Sequence, residues 1–219
     1  MFDDLPFKTT GHIFILLQII NTMAISSKHS EKKDYILSRG MNIMRDRGYN
    51  GTSVKDIVSA AGIPKGSFYS YFESKEDFAV KALDKYFKEF IDEVITVLND
   101  TSKSNKERLI AHYENRVKVM LTRPEFKNGC IANSLGDEMG NHSESIRQAI
   151  IKKESFVKKK LTEIVQKGQE KGEINNQLAA ESLINVIEDA WKGAIITRKE
   201  YQNDQSMKNL LLVTKSLLE

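Results

Sequence analysis

Between Thr52 and Phe78 the chain reads TSVKDIVSAAGIPKGSFYSYFESKEDF, a pattern that leaves it few ways to fold. A hydroxyl residue, Thr52 or Ser53, caps a short helix with core positions at Val54, Ile57, Val58 and Ala61. Asp56 falls in its first turn, where the helix dipole favours an acid. Gly62 ends that helix, and Ile63 and Pro64 open a third one, KGSFYSYF, because the fixed φ of proline suits a first turn. Ahead of this segment Ile36, Leu37, Gly40, Ile43 and Met44 follow helical spacing from Glu31 until Gly48 and the turn residues of RDRGYNGTS stop the run. Three short helices with a tight glycine turn between the second and third make a helix-turn-helix arrangement.

The rest of the chain carries the same helical periodicity. Ser74 caps a helix running to about Asp100, with Asp77 where a capping box places its acid. Segments 105–122, 130–140, 144–171, 177–200 and 205–218 follow, separated by Gly, Pro, Asn or Ser clusters. With only three prolines in 219 residues, long helices are permitted almost everywhere. The expectation is an all-α chain of about nine helices. Gly40, in mid-helix, reads as a cost of about 1 kcal/mol relative to alanine.

Net charge is +3, which looks too balanced for a nucleic-acid partner, but its distribution is uneven. Residues 23–75 hold nine bases against five acids, whereas 76–219 hold 23 of each. A helix-turn-helix lays its second helix in the major groove, so that helix needs an apolar inner face and short polar or cationic groups outside. Phe68 and Phe72 supply the first. Lys65 can reach guanine O6/N7, Ser67 and Ser70 either base type, and Gly66 lets the backbone approach closely. Thr52, Ser53, Lys55, Tyr71 and Lys75 sit at helix N-termini or rims suited to phosphates.

Residues 31–80 resemble the DNA-binding domain of the TetR family of transcriptional repressors. The Gly48–Tyr49 turn, TSVKDI, AAGIPKGSFY, YF and SKED carry the likeness in order. Val58, where many members have alanine, departs from it. GCIANSLGDEMGNHS and KGEI look like one group of these regulators. The resemblance implies that Tyr69, Tyr71 and Lys75 touch the DNA backbone, that a palindromic operator is bound as a homodimer, and that the function is ligand-responsive repression without a cofactor. It divides the chain into an extension (1–28), a helix-turn-helix DNA-binding domain (29–80) and a C-terminal effector-binding and dimerisation domain (81–219).

Dimer contacts are expected on the stripes Leu178, Ala179, Leu183, Val186, Ile187, Ala190, Ala194 and Met207, Leu210, Leu211, Val213, Leu217, with Leu183, Ile187, Ala190, Ala194, Leu210, Leu211 and Leu217 foremost. Candidate pocket residues are Phe87, Phe90, Ile91, Tyr113, Met120, Cys130, Asn133, Met139 and Trp191, a lining suited to a small apolar, aromatic or electrophilic effector. Cys130 reads either as a buried inert thiol or as an electrophile sensor activated by a base such as Lys127 or by a helix N-terminus.

Other classes fit less well. The single cysteine excludes an intramolecular disulfide and multi-thiolate metal sites. The four histidines are scattered, and ANSLG lacks the first glycine and the strand of a nucleophile elbow. An enzyme, or a helical adaptor without operator binding, is the alternative. GHIFILLQII is shorter than the roughly 20 residues that span a bilayer and lacks a cleavage signature, so the chain reads as cytoplasmic, with no membrane partner. Residues 1–22 fit an upstream start, an artefact of expression or an added helix.

Overall fold

The computed structural model describes the backbone of residues 9–219 and the side chains of residues 27–219. Within them nine α-helices follow one another: α1 (Thr9–Arg47), α2 (Val54–Ala60), α3 (Lys65–Phe68), α4 (Lys75–Leu98), α5 (Asn105–Thr122), α6 (Ile131–Met139), α7 (Glu144–Glu170), α8 (Ala180–Tyr201) and α9 (Gln205–Leu217). A 3₁₀ turn, Pro124–Phe126, joins α5 to the loop before α6. Among the described residues there is no strand, and no helix is long and apolar enough to cross a membrane.

Two boundaries differ from the sequence expectation. α1 starts at Thr9 rather than near Glu31, so the backbone of residues 9–28 continues into the helix-turn-helix unit without a break. Residues 1–8 of the expected extension lie outside the described residues. α3 is one turn long and does not run through KGSFYSYF. Beyond Phe68 the chain tightens, Ser70 N–H donating to Ser67 O and Tyr71 N–H to Phe68 O, and Phe72 returns to the core. There Phe68, Phe72 and Phe78 meet, with ring centroids 5.0 Å (68–72), 5.0 Å (72–78) and 6.0 Å (68–78) apart. Burying each such ring contributes about 1.5–3 kcal/mol, which outweighs another turn of exposed helix.

Capping is local and legible. Ser53, not Thr52, caps α2: its hydroxyl accepts from Asp56 N–H, and the Asp56 carboxylate accepts from Ser53 N–H at 2.8 Å. The Ser53 hydroxyl, which also donates to that carboxylate, and then the Ser53 N–H hold the Asp56 carboxyl below the usual carboxylate range. Gly62 adopts φ +62° at the turn into α3, a region open to glycine at little cost.

The core of the helix-turn-helix unit is continuous with that of the C-terminal body. Ile36, Met44, Ile57, Phe68, Phe78 and Leu83 share one buried cluster with Phe87, Phe126, Leu135, Ile146 and Trp191. A second cluster, with Leu98, Leu109, Leu161, Ile184 and Leu218, fills the far end. α4 belongs to both, so the expected boundary at residue 80 cuts a continuous helix.

Gly40 is the point of closest approach between α1, α2 and α4. A Cβ there would lie 2.6 Å from Phe78 Cζ and 2.7 Å from Ile57 Cγ2. Its absence is a packing requirement that overrides the helix-propensity cost read from the sequence. Gly40→Ala is therefore expected to destabilise the protein by about 1–3 kcal/mol through overpacking. A rise in the urea midpoint would contradict this.

Candidate DNA interface and effector cavity

On the helix-turn-helix unit Ser53, Lys55, Lys65, Gly66, Tyr69 and Ser70 are exposed, and Ser67 is half-buried. An added Cβ at Gly66 would meet nothing within 4 Å among the described residues, so none of them demands glycine there. These residues form an outward surface of hydroxyls, ammonium groups and one phenol.

Three of the residues expected to touch DNA have other occupations. Thr52 is buried and donates its hydroxyl to Gly48 O at 2.7 Å, so it offers nothing to a phosphate. Lys75 donates its ammonium to Tyr49 O and Thr52 O, each at 3.0 Å, and lies 4.0 Å above the Tyr49 ring. Burial lowers its pKa. It bolts the start of α4 to the α1–α2 turn. Tyr71 is half-buried against the core and stacks on His29, with centroids 4.5 Å apart. Arg45 also turns inward, donating to Glu125 O at 3.1 Å with its guanidinium 4.9 Å from the Phe126 ring centroid. The positive excess of this segment is thus smaller at the surface than in the sequence.

The same turn is held from the C-terminal body. The Glu138 carboxylate, near the end of α6, accepts from Tyr49 N–H at 3.0 Å and Asn50 N–H at 2.8 Å. Asn128 donates to Asp46 at 3.0 Å.

At the other end of α6 lies a cavity in two lobes of about 60 and 40 Å³, both lined by Tyr86, Phe90, Arg116 and Trp191. Met120, Phe126, Val119, Glu89, Glu93 and Arg123 also line the first lobe; Phe87, Cys130, Asn133 and Glu188 help to line the second. Six of the nine expected pocket residues therefore come together. Ile91, Tyr113 and Met139 do not line either lobe. Tyr113 stands behind the wall, donating its hydroxyl to Glu188 Oε1 at 2.9 Å, while Ile91 and Met139 pack into the core.

The centre of the cavity wall is a charged pair absent from the sequence expectation. Arg116 Nη1 donates to Glu188 Oε1 at 2.6 Å, and each side chain is only 10% exposed. Burial alone would lower the Arg116 pKa, but the charge and hydrogen bond of Glu188, together with Tyr113 and Tyr86, outweigh it and raise the pKa, so the guanidinium stays charged. The guanidinium carbon lies 4.0 Å from the Trp191 ring centroid and 5.1 Å from that of Phe90. Burial pushes the Tyr113 hydroxyl well above its ordinary pKa, so it is a donor at neutral pH. A clue was present: Arg116 falls in the stripe Leu109, Tyr113, Val117, Met120, and Glu188 in Ile184, Ile187, Trp191, where solvated charges do not belong. The Cys130 thiol is buried and donates to Tyr86 Oη at 3.1 Å, whereas Lys127 is exposed.

The expected dimer stripe divides into two faces. Leu183, Ile187, Ala194 and Leu210 are buried within their own chain, so they are unavailable to a second copy. Leu211 and Leu217 are half-buried and Ala190 is exposed. The residues that point outward are Val186 and Ile196 on α8 and Leu212 and Val213 on α9, each more than half exposed.

Breaking the buried pair from one side leaves an uncompensated charge. Glu188→Leu is expected to cost about 3–5 kcal/mol, with Arg116→Met added to it restoring most of the loss. Additive losses in the double variant, read by denaturant unfolding, would show that the two groups do not act as a pair.

Comparison with known proteins agrees with this architecture. The family model for bacterial regulatory proteins of the tetR family matches residues 36–82, and that for the tetracyclin repressor-like C-terminal domain matches residues 106–212. The HTH-type transcriptional repressor DhaR of Mycobacterium sp. (strain GP1) is 28% identical over 83% of this chain and 89% of its own length. The HTH-type transcriptional repressor NemR of Escherichia coli (strain K12) is 25% identical over 88% and 97%. The crystal structure of the reduced form of E. coli NemR, 24% identical, superposes with a TM-score of 0.78 over 86% of this chain and 97% of that one. These relatives are transcription regulators, not enzymes.

Proposed function

Because the chain belongs to the TetR family of bacterial transcriptional regulators, we propose that it represses transcription by holding a palindromic operator as a homodimer and releases it when a small molecule fills the cavity. It is a DNA-binding regulator of the helix-turn-helix type. The observation that carries the ligand-responsive part is α6: its first residues line the cavity and Glu138 near its end grips the α1–α2 turn.

On the DNA side, Lys65, Ser67 and Ser70 read bases, Gly66 admits the backbone, and Ser53, Lys55 and Tyr69 meet phosphates. A palindrome read by two such units needs recognition helices about 34–36 Å apart. The outward face of α8 and α9, with Val186, Ala190, Ile196, Leu212 and Val213, supplies an apolar surface for the second copy.

Occupancy of the cavity alters operator affinity only if the ligand binds the two conformations unequally. Two routes lead from the cavity to the helix-turn-helix unit. One runs from Cys130 and Asn133 along α6 to Glu138. The other runs from Phe126 to the Arg45 guanidinium above it.

Mobility shifts on DNA flanking the chain's own gene test the reading, with a salt-sensitive, sequence-selective complex expected. Lys65→Ala should relax base preference. Lys55→Ala should weaken all sequences alike and reduce the salt slope by about one per subunit. The absence of any selective complex removes the repressor reading, and identical behaviour of the two variants removes the division of roles.

Glu138→Ala frees two N–H groups at the turn and is expected to weaken operator binding about tenfold, the scale of a charge-assisted hydrogen bond. Helix content by circular dichroism should be unchanged. Wild-type operator affinity in this variant would show that α6 does not steer the turn.

A further inference from the structure

Resting on the reading of this cavity as the effector site, we propose that the effector is a compact, uncharged molecule carrying a carbonyl-type oxygen, which Asn133 and Arg116 recognise by donating hydrogen bonds. Two buried donors, Asn133 Nδ2 and Arg116 Nε, have no acceptor among the described residues, and both side chains belong to residues that line the second lobe. A buried donor without an acceptor costs free energy that a ligand oxygen recovers. Residues that line a cavity and lack partners are where an oxygen acceptor gains most.

Charge narrows the class. The Arg116 guanidinium is already neutralised by Glu188 at 2.6 Å, and at the rim Lys192 pairs with Glu154 at 2.7 Å and Arg123 with Glu93 at 3.2 Å. A ligand carboxylate would have to share Arg116 with Glu188 at close range, and like charges there repel. A cation would face unpartnered donors. A neutral acceptor meets neither penalty.

Size and shape narrow it again. A dry cavity of about 150 Å³ accommodates benzene, so the two lobes together suit roughly four to six non-hydrogen atoms. The shared walls, Tyr86, Phe90 and Trp191, are flat rings that fit the face of a planar carbonyl group.

Trp191 is the chain's single tryptophan and lines both lobes, so its fluorescence reports occupancy. Three probes of matched size separate the terms: butan-2-one, 2-methylbut-1-ene, which replaces the oxygen by a methylene, and propanoate, which replaces it by a charged carboxylate. Saturable binding of the ketone is expected, about tenfold or more tighter than either analogue, and Asn133→Leu should remove most of its advantage over the alkene. Equal or tighter binding of the alkene or of propanoate, or no saturable response to any probe, overturns the proposal. Because the wild-type series does not depend on the variant, misfolding of Asn133→Leu leaves it decisive. A mobility shift on the same preparation separates the two readings. Selective DNA binding with a failed probe series removes only the ligand class, and ketone binding without selective DNA binding removes only the repressor.

Discussion

The turn from Gly48 to Thr52 connects α1 to α2, and its orientation governs where the recognition surface points. It is held from two directions. Lys75, at the start of α4, gives its ammonium to two carbonyls of this turn, and Glu138, from α6, takes two of its N–H groups. A cation on the carbonyls and an anion on the amides is a complementary arrangement, and each charge-assisted contact is roughly twice as strong as a neutral one. The two clamps come from helices that also pack into the C-terminal body. Movement of α4 or α6 therefore reaches the helix-turn-helix unit directly, without passing through a flexible linker.

The cavity is built on a different economy. Its wall contains an ion pair that is costly to bury, kept there by short geometry, by Tyr113 on the same oxygen and by the Trp191 face against the guanidinium. Apolar residues of similar volume would often stabilise such a site equally well or better. What the charged pair adds is polarity and donors beside the rings of Tyr86, Phe90 and Trp191, in a space whose walls also carry Glu93, Arg123, Glu154 and Lys192. The lining is thus less apolar than its aromatic residues alone imply, which is why an effector defined only as apolar or aromatic fits it incompletely.

Much of the fold is legible in the sequence. The caps read at Thr52 or Ser53 and at Ser74, and helical spacing throughout, mark most helix limits, because these signals act within a few residues. The sequence places Lys55, Lys65, Gly66 and Ser70 on the outward side of the helix-turn-helix, and all four are exposed there. The internal contacts of Thr52, Tyr71 and Lys75 do not show in the sequence, because residue type and rim position suit a phosphate as well as the carbonyls that Thr52 and Lys75 meet and the His29 ring that Tyr71 stacks on. Helical stripes misled in the same way at α8. Leu183 and Ile187 share the apolar character of Val186, and only packing on neighbouring helices decides which face turns outward.

The sequence by itself determined the helices, their caps, the glycine turn and the family of the N-terminal unit, since each rests on local stereochemistry or a contiguous motif. Tertiary structure decided which charges are spent inside the chain. Tyr49 meets Glu138 across 89 residues, Arg116 meets Glu188 across 72, and Arg45 reaches Glu125 across 80. A long side chain takes the nearest partner that desolvation leaves it, and that choice depends on which helices pack together. The same packing buries Asn133 Nδ2 and Arg116 Nε with no acceptor among the described residues, which residue order alone does not reveal.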